Sequence, residues 1–437
     1  MGEEETSSVS PSLKIGVIGL GFVGLPLSLL FVKKGYHVLG IDIDQKKVNL
    51  LNQGFSYLSD LTNEEVQQAL DTKRFKATNN YDAINAVDAI IVCVPTPLTQ
   101  DDAPDLSYLE EAGKEIAQRL RAGQLVVLES STYPGTTRDV LRPILEETGL
   151  KAGRDIFLCY SPERIDPGNK EYPLKKIPKV FGGITDQCLK RGNELYRQVF
   201  DKVIPVSSPE VAELTKLVEN CYRLVNISFV NELSQICDSL DINLWEVIEA
   251  AKTKPYGYSA FYPGPGIGGH CIPVDPLYLQ WKTVQNGTPS LFIELSERIN
   301  RQMPQYIVGR VRDLLSGSQG LEGSKILLYG AAYKKDINDV RESSIFEFIR
   351  LLREEGAEVF YHDPLVPNLK IGEERMDSVA LTDHLLASMD CVVIHTDHSH
   401  MPMKQILDYS KMVFDARNAT KGMQGKAKIY RLGGGGL

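Results

Sequence analysis

The segment with the densest chemical content is Gly264-Pro-Gly266-Ile-Gly268-Gly269-His270-Cys271-Ile-Pro273-Val-Asp275. A flexible glycine loop here delivers a cysteine to the start of a helix expected to run through Leu279. Helix N-terminal amides favour a thiolate, and a thiolate is the form that covalent catalysis requires. Four glycines within the six residues 264–269 exceed what a core helix start needs and suit a backbone pressed against a sugar. Asp275, one turn later, is placed to orient a water or a neighbouring cation.

Two further constellations accompany the thiol. Lys216 and Asn220 are four residues apart on a helical stretch, so an ammonium and an amide donor share one face and can converge on a developing oxyanion. The apolar neighbours Ala212, Leu214, Leu217 and Val218 argue that this face is partly buried. Glu163, in Tyr160-Ser-Pro-Glu163-Arg, follows a strand and is a candidate general base.

A cofactor is implied near the N-terminus. Gly19-Leu-Gly21-Phe22-Val23-Gly24 follows an apolar run and opens a helix, so a tight turn brings backbone amides to a pyrophosphate at the helix N-terminus. The next apolar run ends at Asp42, placed to accept from an adenosine ribose diol and to repel a 2′-phosphate, which favours NAD over NADP. Asp44 is the alternative. Val94-Pro-Thr96-Pro and Ser131-Thr132 leave the carboxyl ends of further strands, where ligands bind in open α/β sheets.

The elements that must position these groups can be read from periodicity. Short Val/Ile/Leu runs alternate with helical stretches from Leu13 to Ile204, the pattern of a parallel sheet covered on both faces. Strands are expected at Lys14–Ile18, His37–Ile41, Ala89–Val94, Leu125–Leu128 and Asp155–Cys159, and in a second, smaller α/β domain at Lys325–Tyr329, Ala357–Tyr361, Cys391–His395 and Met412–Phe414. Between them, Ser207 to Leu240 reads as one long helix, with Ser207 and Glu210 at capping-box spacing and Pro209 in the first turn. The fold class is therefore α/β: two Rossmann-like doubly wound domains joined by a long central helix and a small helical dimerisation region. The expected boundaries are 13–206, 207–305 and 320–430, with a homodimer as the default assembly.

Bulk properties exclude several classes. A chain of 437 residues with net charge -9 and scattered Lys and Arg offers no electrostatic footprint for nucleic acid or anionic membrane. No apolar run is long enough to span a bilayer, and the acidic, Ser-rich first dozen residues do not resemble a signal peptide, so the reading is cytoplasmic. The seven widely spaced cysteines read as reduced thiols. His395-Thr-Asp397-His398-Ser-His400 reads as a satisfied turn, and no metal is assigned. The first dozen residues and the tail Gly433 to Leu437 read as disordered.

Taken together the motifs resemble the UDP-glucose/GDP-mannose dehydrogenase family, most closely its UDP-N-acetylhexosamine branch. They run in order from Leu13 to Asn418: Gly19 to Gly24, Ser131-Thr132-x-Pro134-Gly135, Ser161-Pro-Glu163, Glu213-Leu-x-Lys216-x-x-x-Asn220, Gly268-Gly269-His270-Cys271-x-Pro273-x-Asp275, and Tyr333-Lys334-Lys335-Asp336 followed by Arg341-Glu-Ser. The resemblance implies a four-electron oxidation of a UDP-sugar at C6 with two NAD, through a Cys271 thiohemiacetal and thioester, for surface polysaccharide precursors. It implies that Lys216 and Asn220 stabilise the C6 oxyanion, that Asp275 and Thr132 hold the water network, and that Glu163 assists thioester hydrolysis. It further implies that Lys334 and Arg417 contact the nucleotide sugar, that Arg341 reaches the NAD diphosphate, and that Tyr262 with Gly264 lines the sugar pocket. Cofactor contacts are expected from Gly19, Gly21, Phe22, Val23, Gly24, Asp42, Thr96, Ser131, Thr132 and Arg341.

Three departures bear on the substrate. Pro167 stands where UDP-glucose enzymes have a second acid, Val274 where a lysine is common, and His270 where a serine precedes the cysteine. With the Tyr262-Pro-Gly-Pro-Gly loop, these resemble the N-acetylhexosamine branch and make UDP-N-acetylglucosamine the first choice over its mannosamine and galactosamine epimers and over UDP-glucose. Two rivals remain: a two-electron hydroxyacid dehydrogenase, which needs no Cys271, and a non-catalytic nucleotide-sugar sensor.

Overall fold

The computed structural model describes residues 13–58, 61–165, 173–269, 271–317 and 320–435. The expectations for residues 1–12, Pro167 and His270 lie outside them. The described chain is mixed α/β and divides into two compact units. One runs up to Glu219 and takes back Leu277–Thr288; the other comprises Asn220–Pro276 and the chain from Pro289 onward.

The first unit is built on eight strands: β1 (Lys14–Ile18), β2 (His37–Ile41), β3 (Phe75–Thr78), β4 (Ala89–Val92), β5 (Leu125–Leu128), β6 (Phe157–Tyr160), β7 (Lys179–Gly183) and β8 (Val203–Val206). They lie in the order β3-β2-β1-β4-β5-β6-β7-β8, and every pairing is parallel except β6 with β7. Both neighbours of β1 are hydrogen-bonded to it in parallel, so the chain order reverses there and the loops after β1 and β4 diverge at the carboxyl edge, where ligands bind. All four residues of β4 and of β5 are buried, because helices cover both faces. Each such Ile or Val contributes roughly 2 kcal/mol of hydrophobic stabilisation.

Three of these strands carried no legible signal. β3 is a short strand with a lysine between its buried Phe75 and Ala77. β7 ends in Gly182-Gly183, and β8 contains Pro205, tolerated because β8 is at the sheet edge.

The long helix spans Pro209–Ser239, 31 residues, close to the expected limits. Its cap differs from the expected Ser207–Glu210 pair: the Ser208 hydroxyl accepts from Val211 N at 3.4 Å, and Glu210 instead pairs with Arg138. Pro209 then occupies the first helical position, where its missing N–H is not needed.

The second unit holds β9 (Lys325–Tyr329), β10 (Glu358–His362), an antiparallel ribbon of β11 (Asn368–Ile371) and β12 (Glu374–Asp377), then β13 (Cys391–Ile394), β14 (Met412–Asp415) and β15 (Lys428–Arg431). The five-stranded sheet β10-β9-β13-β14-β15 is wholly parallel and repeats the reversal at its second strand. Its helical part contains Asn220 to Ser239 of the long helix, Leu244–Lys252 and Leu291–Leu315. Ser228 donates to Ser296 O at 2.8 Å, and Asp238 takes Arg310 at 2.5 Å, both buried, which locks the two long helices together. The described part of the glycine tail is packed rather than disordered. Leu244 N donates to Gly433 O at 2.8 Å and Trp245 Nε1 to Leu432 O at 2.7 Å, contacts that a low-complexity sequence does not advertise.

Candidate active site

The glycine turn after β1 distinguishes its three glycines by what a side chain would meet. At Gly19, with φ +86°, a Cβ would stand 2.5 Å from Cys93 O; at Gly24 it would stand 1.9 Å from Gly19 O. Those two glycines are required by the fold itself. At Gly21 a Cβ would meet nothing within 4 Å, so that position faces open space. Phe22 is exposed and Val23 half-buried beside it. Asp42, buried at the end of β2, accepts from Leu20 N and Asp44 N, each at 2.9 Å. Asp44 caps the helix Gln45–Asn52 through Lys46 N, which leaves Asp42 as the carboxylate set against the glycine turn. The turn, the helix after it and this acid fit a dinucleotide.

The neighbouring loops are laced to one another. Thr96 Oγ1 donates to Ser131 O at 2.7 Å and Ser130 Oγ to Val94 O at 2.7 Å, tying the ends of β4 and β5. Lys216 Nζ donates to Ser131 Oγ, and the Thr132 hydroxyl donates to Thr136 Oγ1 at 2.5 Å. Lys216 is only 7% exposed, so the face that sequence alone left between solvated and buried is buried. One turn earlier, Glu213 accepts from Gly135 N at 2.6 Å, Thr137 N at 2.9 Å and Thr137 Oγ1 at 2.6 Å. Burial pushes this carboxyl up to about 7 against those donors. Sequence reading quoted Glu213 without assigning it a role, although it lies three residues before Lys216 and therefore on the same face.

Within the second unit the thiol has close company. Asn220 Nδ2 donates to Asp275 Oδ2 at 2.5 Å, and Asp275 N donates to Cys271 O at 2.9 Å. The helix itself begins at Asp275 and reaches Gln285, so Cys271 sits one turn before it rather than on its first residues. Of the seven cysteines only Cys221 and Cys271 are partly exposed. Burial, then the Asp275 charge, push the Cys221 thiol up to about 12, far from nucleophilic. Cys271 instead lies within Coulombic reach of Arg341, whose charged form is held first by its hydrogen bond to Asp339.

Three glycines before Cys271 are required by the protein around them. A Cβ at Gly264 would stand 2.6 Å from Arg417 Nη1, one at Gly268 2.5 Å from Tyr333 Cβ, and one at Gly269 2.7 Å from the Tyr333 ring. The loop is thus pressed against its own protein, while Gly264 N donates to Asn231 Oδ1 and Gly269 N to Arg341 O. This brings Gly264, Arg417, Tyr333 and Arg341 to the Cys271 loop; Lys334 follows Tyr333 and is half-buried. The Arg341 guanidinium forks onto Asp339, and Tyr262 stacks on Trp245 with its hydroxyl toward Glu249.

Glu163 is neither a surface carboxylate nor an unencumbered base. Its Oε1 accepts from Arg164 N at 2.6 Å and Ile165 N at 2.7 Å, and its Oε2 from Lys179 Nζ at 2.9 Å. Lys179 also reaches Glu129 at 2.5 Å, and Glu129 takes Tyr196 OH at 2.5 Å. All four are buried. Burial opposes the Lys179 ammonium, but the charges of Glu129 and Glu163 hold it in the charged form well above the usual range. Sequence reading missed Glu129, Lys179 and Tyr196, since nothing local joins them.

His395 and His398 are held by hydrogen bonds within the second unit. His398 Nε2 meets Asp363 at 3.1 Å and its Nδ1 accepts Asp336 N at 3.0 Å, which fixes the turn after Lys334. His395, 1% exposed, lies between Ser344 Oγ at 2.9 Å and Thr396 Oγ1 at 3.0 Å, and burial pushes it down from 6.5 to about 3. The unfolded chain takes up this proton below pH ~6.5 while the folded chain refuses it, so the contribution to stability is full above that pH and declines toward pH 3. Wild-type protein should lose up to ~1.4 kcal/mol more per pH unit than His395→Asn over that window. Urea midpoints at pH 7, 6, 5 and 4 check this; parallel pH slopes for the two proteins would refute it.

Comparison with known proteins follows the same division. Residues 13–200 match the NAD binding domain of the UDP-glucose/GDP-mannose dehydrogenase family, 210–302 its central domain and 327–422 its UDP binding domain. A UDP-N-acetyl-D-mannosamine dehydrogenase of Methanococcus maripaludis is 33% identical over 423 residues, 93% of this chain and 92% of that one. A UDP-N-acetyl-D-glucosamine 6-dehydrogenase of Pseudomonas aeruginosa is 36% identical over 357 residues, 81% and 83% of the two chains. The solved structure of the UDP-D-ManNAc dehydrogenase from Pyrococcus horikoshii is similar at TM-score 0.89 and 30% identity, covering 97% of this chain and 100% of its own.

Proposed function

We propose, from the premise that this chain belongs to the UDP-glucose/GDP-mannose dehydrogenase family, that it oxidises C6 of a UDP-N-acetylhexosamine from alcohol to carboxylate. That the enzyme is an NAD-dependent nucleotide-sugar dehydrogenase follows from family membership. The observation that supports the four-electron course is the Asn220–Asp275–Cys271 cluster, a partly exposed thiol with a buried amide and carboxylate held beside it.

NAD, when bound, accepts the hydride of each oxidation. Gly19, Gly21, Phe22, Val23, Gly24 and Asp42 are the residues that hold it, with Thr96, Ser131, Thr132 and Arg341 as further contacts. After the first oxidation Cys271 Sγ adds to the C6 aldehyde, forming a C–S bond; the resulting thiohemiacetal loses its hydroxyl proton and a second hydride to give a thioester. Lys216 and Asn220 donate to the C6 oxygen as it becomes an oxyanion. Water then replaces the C–S bond, with the thiolate leaving, while Asp275 and Thr132 orient that water and Glu163 assists. Lys334, Arg417, Tyr262 and Gly264 hold the nucleotide sugar.

The departures at Val274 and in the Tyr262–Gly266 loop support an N-acetylated sugar. UDP-N-acetylglucosamine is the substrate expected from sequence, and the names of the Methanococcus and Pyrococcus relatives support the manno epimer as a second reading. A cytoplasmic enzyme making precursors for a surface polysaccharide fits seven cysteines so widely spaced along the chain. Among the described residues no helix is long and apolar enough to cross a membrane. Tyr222, Phe229 and Ile236 are exposed at seven-residue spacing along the long helix, which supports a homodimer packed on that seam.

The test is a panel of UDP-glucose and the three UDP-N-acetylhexosamines, read as NADH per sugar, with sedimentation of the same preparation. Two NADH per N-acetylated sugar on a dimer is the expected result. One NADH with a stable carbonyl product removes the four-electron reading, binding without turnover favours the sensor, and a monomer at micromolar concentration removes the seam.

A further inference from the structure

Three elements far apart in the chain place polar side chains, two of them ionisable partners of opposite sign, behind Glu163. Glu129 comes from the end of β5, Lys179 from the start of β7 and Tyr196 from the helix Asp186–Tyr196. Lys179 Nζ donates to Glu129 Oε2 at 2.5 Å, Glu163 Oε2 at 2.9 Å and Pro162 O at 3.3 Å, so its three protons all have acceptors. The ammonium also lies 5.4 Å from the Phe200 ring centroid. Burial pushes the Glu129 carboxyl up, opposed by the Lys179 charge and by the hydrogen bonds from Lys179 and Tyr196; with both acids ionised the group carries one net negative unit. Such a group persists in a folded protein only when every member is paired, because each unpaired charge would carry its full desolvation cost.

The consequence for Glu163 follows from counting lone pairs. A carboxylate has about four acceptor positions. Two on Oε1 take Arg164 N and Ile165 N, and one on Oε2 takes Lys179. Among the described residues no further donor reaches Oε2, which leaves one direction for a water. Among the described residues, the other titratable groups facing the cluster are the Cys93 thiol after β4 and Cys159 on β6, both pushed well above the usual thiol range by burial. The Arg164 guanidinium turns away to Glu219 and Pro178 O. Among the described residues, Lys179 is thus the cation that meets Glu163 directly.

We propose that Lys179 is a positioning residue, held in place by Glu129, that keeps Glu163 a carboxylate with a single lone pair directed at the hydrolytic water. Glu163 then orients that water as a fixed anion, and Glu129 sets how much of the Lys179 charge it receives. This rests on the reading that Glu163 assists thioester hydrolysis.

The two supporting residues have opposite electrostatic signs, and the test uses that difference. In Lys179→Met, Glu163 loses its counter-charge, and the acid limb of the pH profile for uronate release should move up by roughly one unit or more. In Glu129→Gln, Glu163 receives the whole Lys179 charge, and the same limb should move down by roughly half a unit. A merely structural role would lower stability in both variants and leave the limb where it is in the wild type, which overturns the proposal. If Lys179→Met does not fold, Glu129→Gln decides alone: a downward shift supports the proposal, and no shift or an upward one overturns it. The wild type is measured first; no uronate from it with any UDP-sugar would instead count against the proposed function.

Discussion

Cys271→Ala should reduce uronate release by roughly 10³-fold or more while leaving affinity for NAD and for the nucleotide sugar within a few-fold of wild type. The size of the effect comes from chemistry rather than packing. Without Sγ there is no acyl carrier, so the second oxidation has no thiohemiacetal to act on, and the reaction halts near the aldehyde. The thiol is partly exposed, and the residue's contact with Asp275 runs through its backbone carbonyl, which alanine retains. The cost in stability should therefore be below ~1 kcal/mol. Mass spectrometry of the sugar product, alongside calorimetric binding of NAD and of the UDP-sugar, reads all three quantities. Uronate appearing at close to the wild-type rate would defeat the covalent mechanism, and lost binding of both ligands would show that the alanine disturbs more than a nucleophile.

The second large effect separates two glycines of one turn. In Gly24→Ala the new methyl would stand 1.9 Å from Gly19 O, a backbone atom that cannot turn aside, so the turn or the helix Gly24–Lys33 must shift. Overpacking at such a buried point should destabilise by about 3 kcal/mol and weaken NAD binding as a by-product. In Gly21→Ala the methyl meets nothing within 4 Å of protein, so the fold should be unperturbed. NAD affinity should nevertheless drop by roughly 10²-fold, since the methyl occupies the approach of the pyrophosphate. Thermal denaturation and NAD titration on both variants distinguish the cases. A Gly21→Ala protein of normal stability that still binds NAD normally would mean that this open face is not where the cofactor lies.

These two predictions differ in how far sequence alone supports them. The glycine turn, the acid ending β2 and the strand-helix rhythm were legible because each is a local pattern: alternation and helical period are set by which side chains fall on one face. The same holds for Lys216 and Asn220, whose spacing of four decides a shared face before any tertiary contact exists. The long helix was legible within two residues at its start and one at its end, whereas its cap was misplaced by one residue, because Ser207 and Ser208 are chemically equivalent until the chain direction is fixed.

Sequence by itself determined the element pattern, the glycine turn after β1 and the thiol proposed as nucleophile. Tertiary structure decided what surrounds them. Glu129, Glu163 and Lys179 come from three strand ends, up to 50 residues apart, and no periodicity links them, so only the order of strands in the sheet could make Glu163, legible in sequence as a candidate base after a strand, one arm of a buried ion cluster. The glycines before Cys271 likewise carried their requirement in the sequence but not its cause: Arg417 and Tyr333 stand where their side chains would have been. Local pattern fixes which face a residue occupies; long-range packing alone fixes what that face meets.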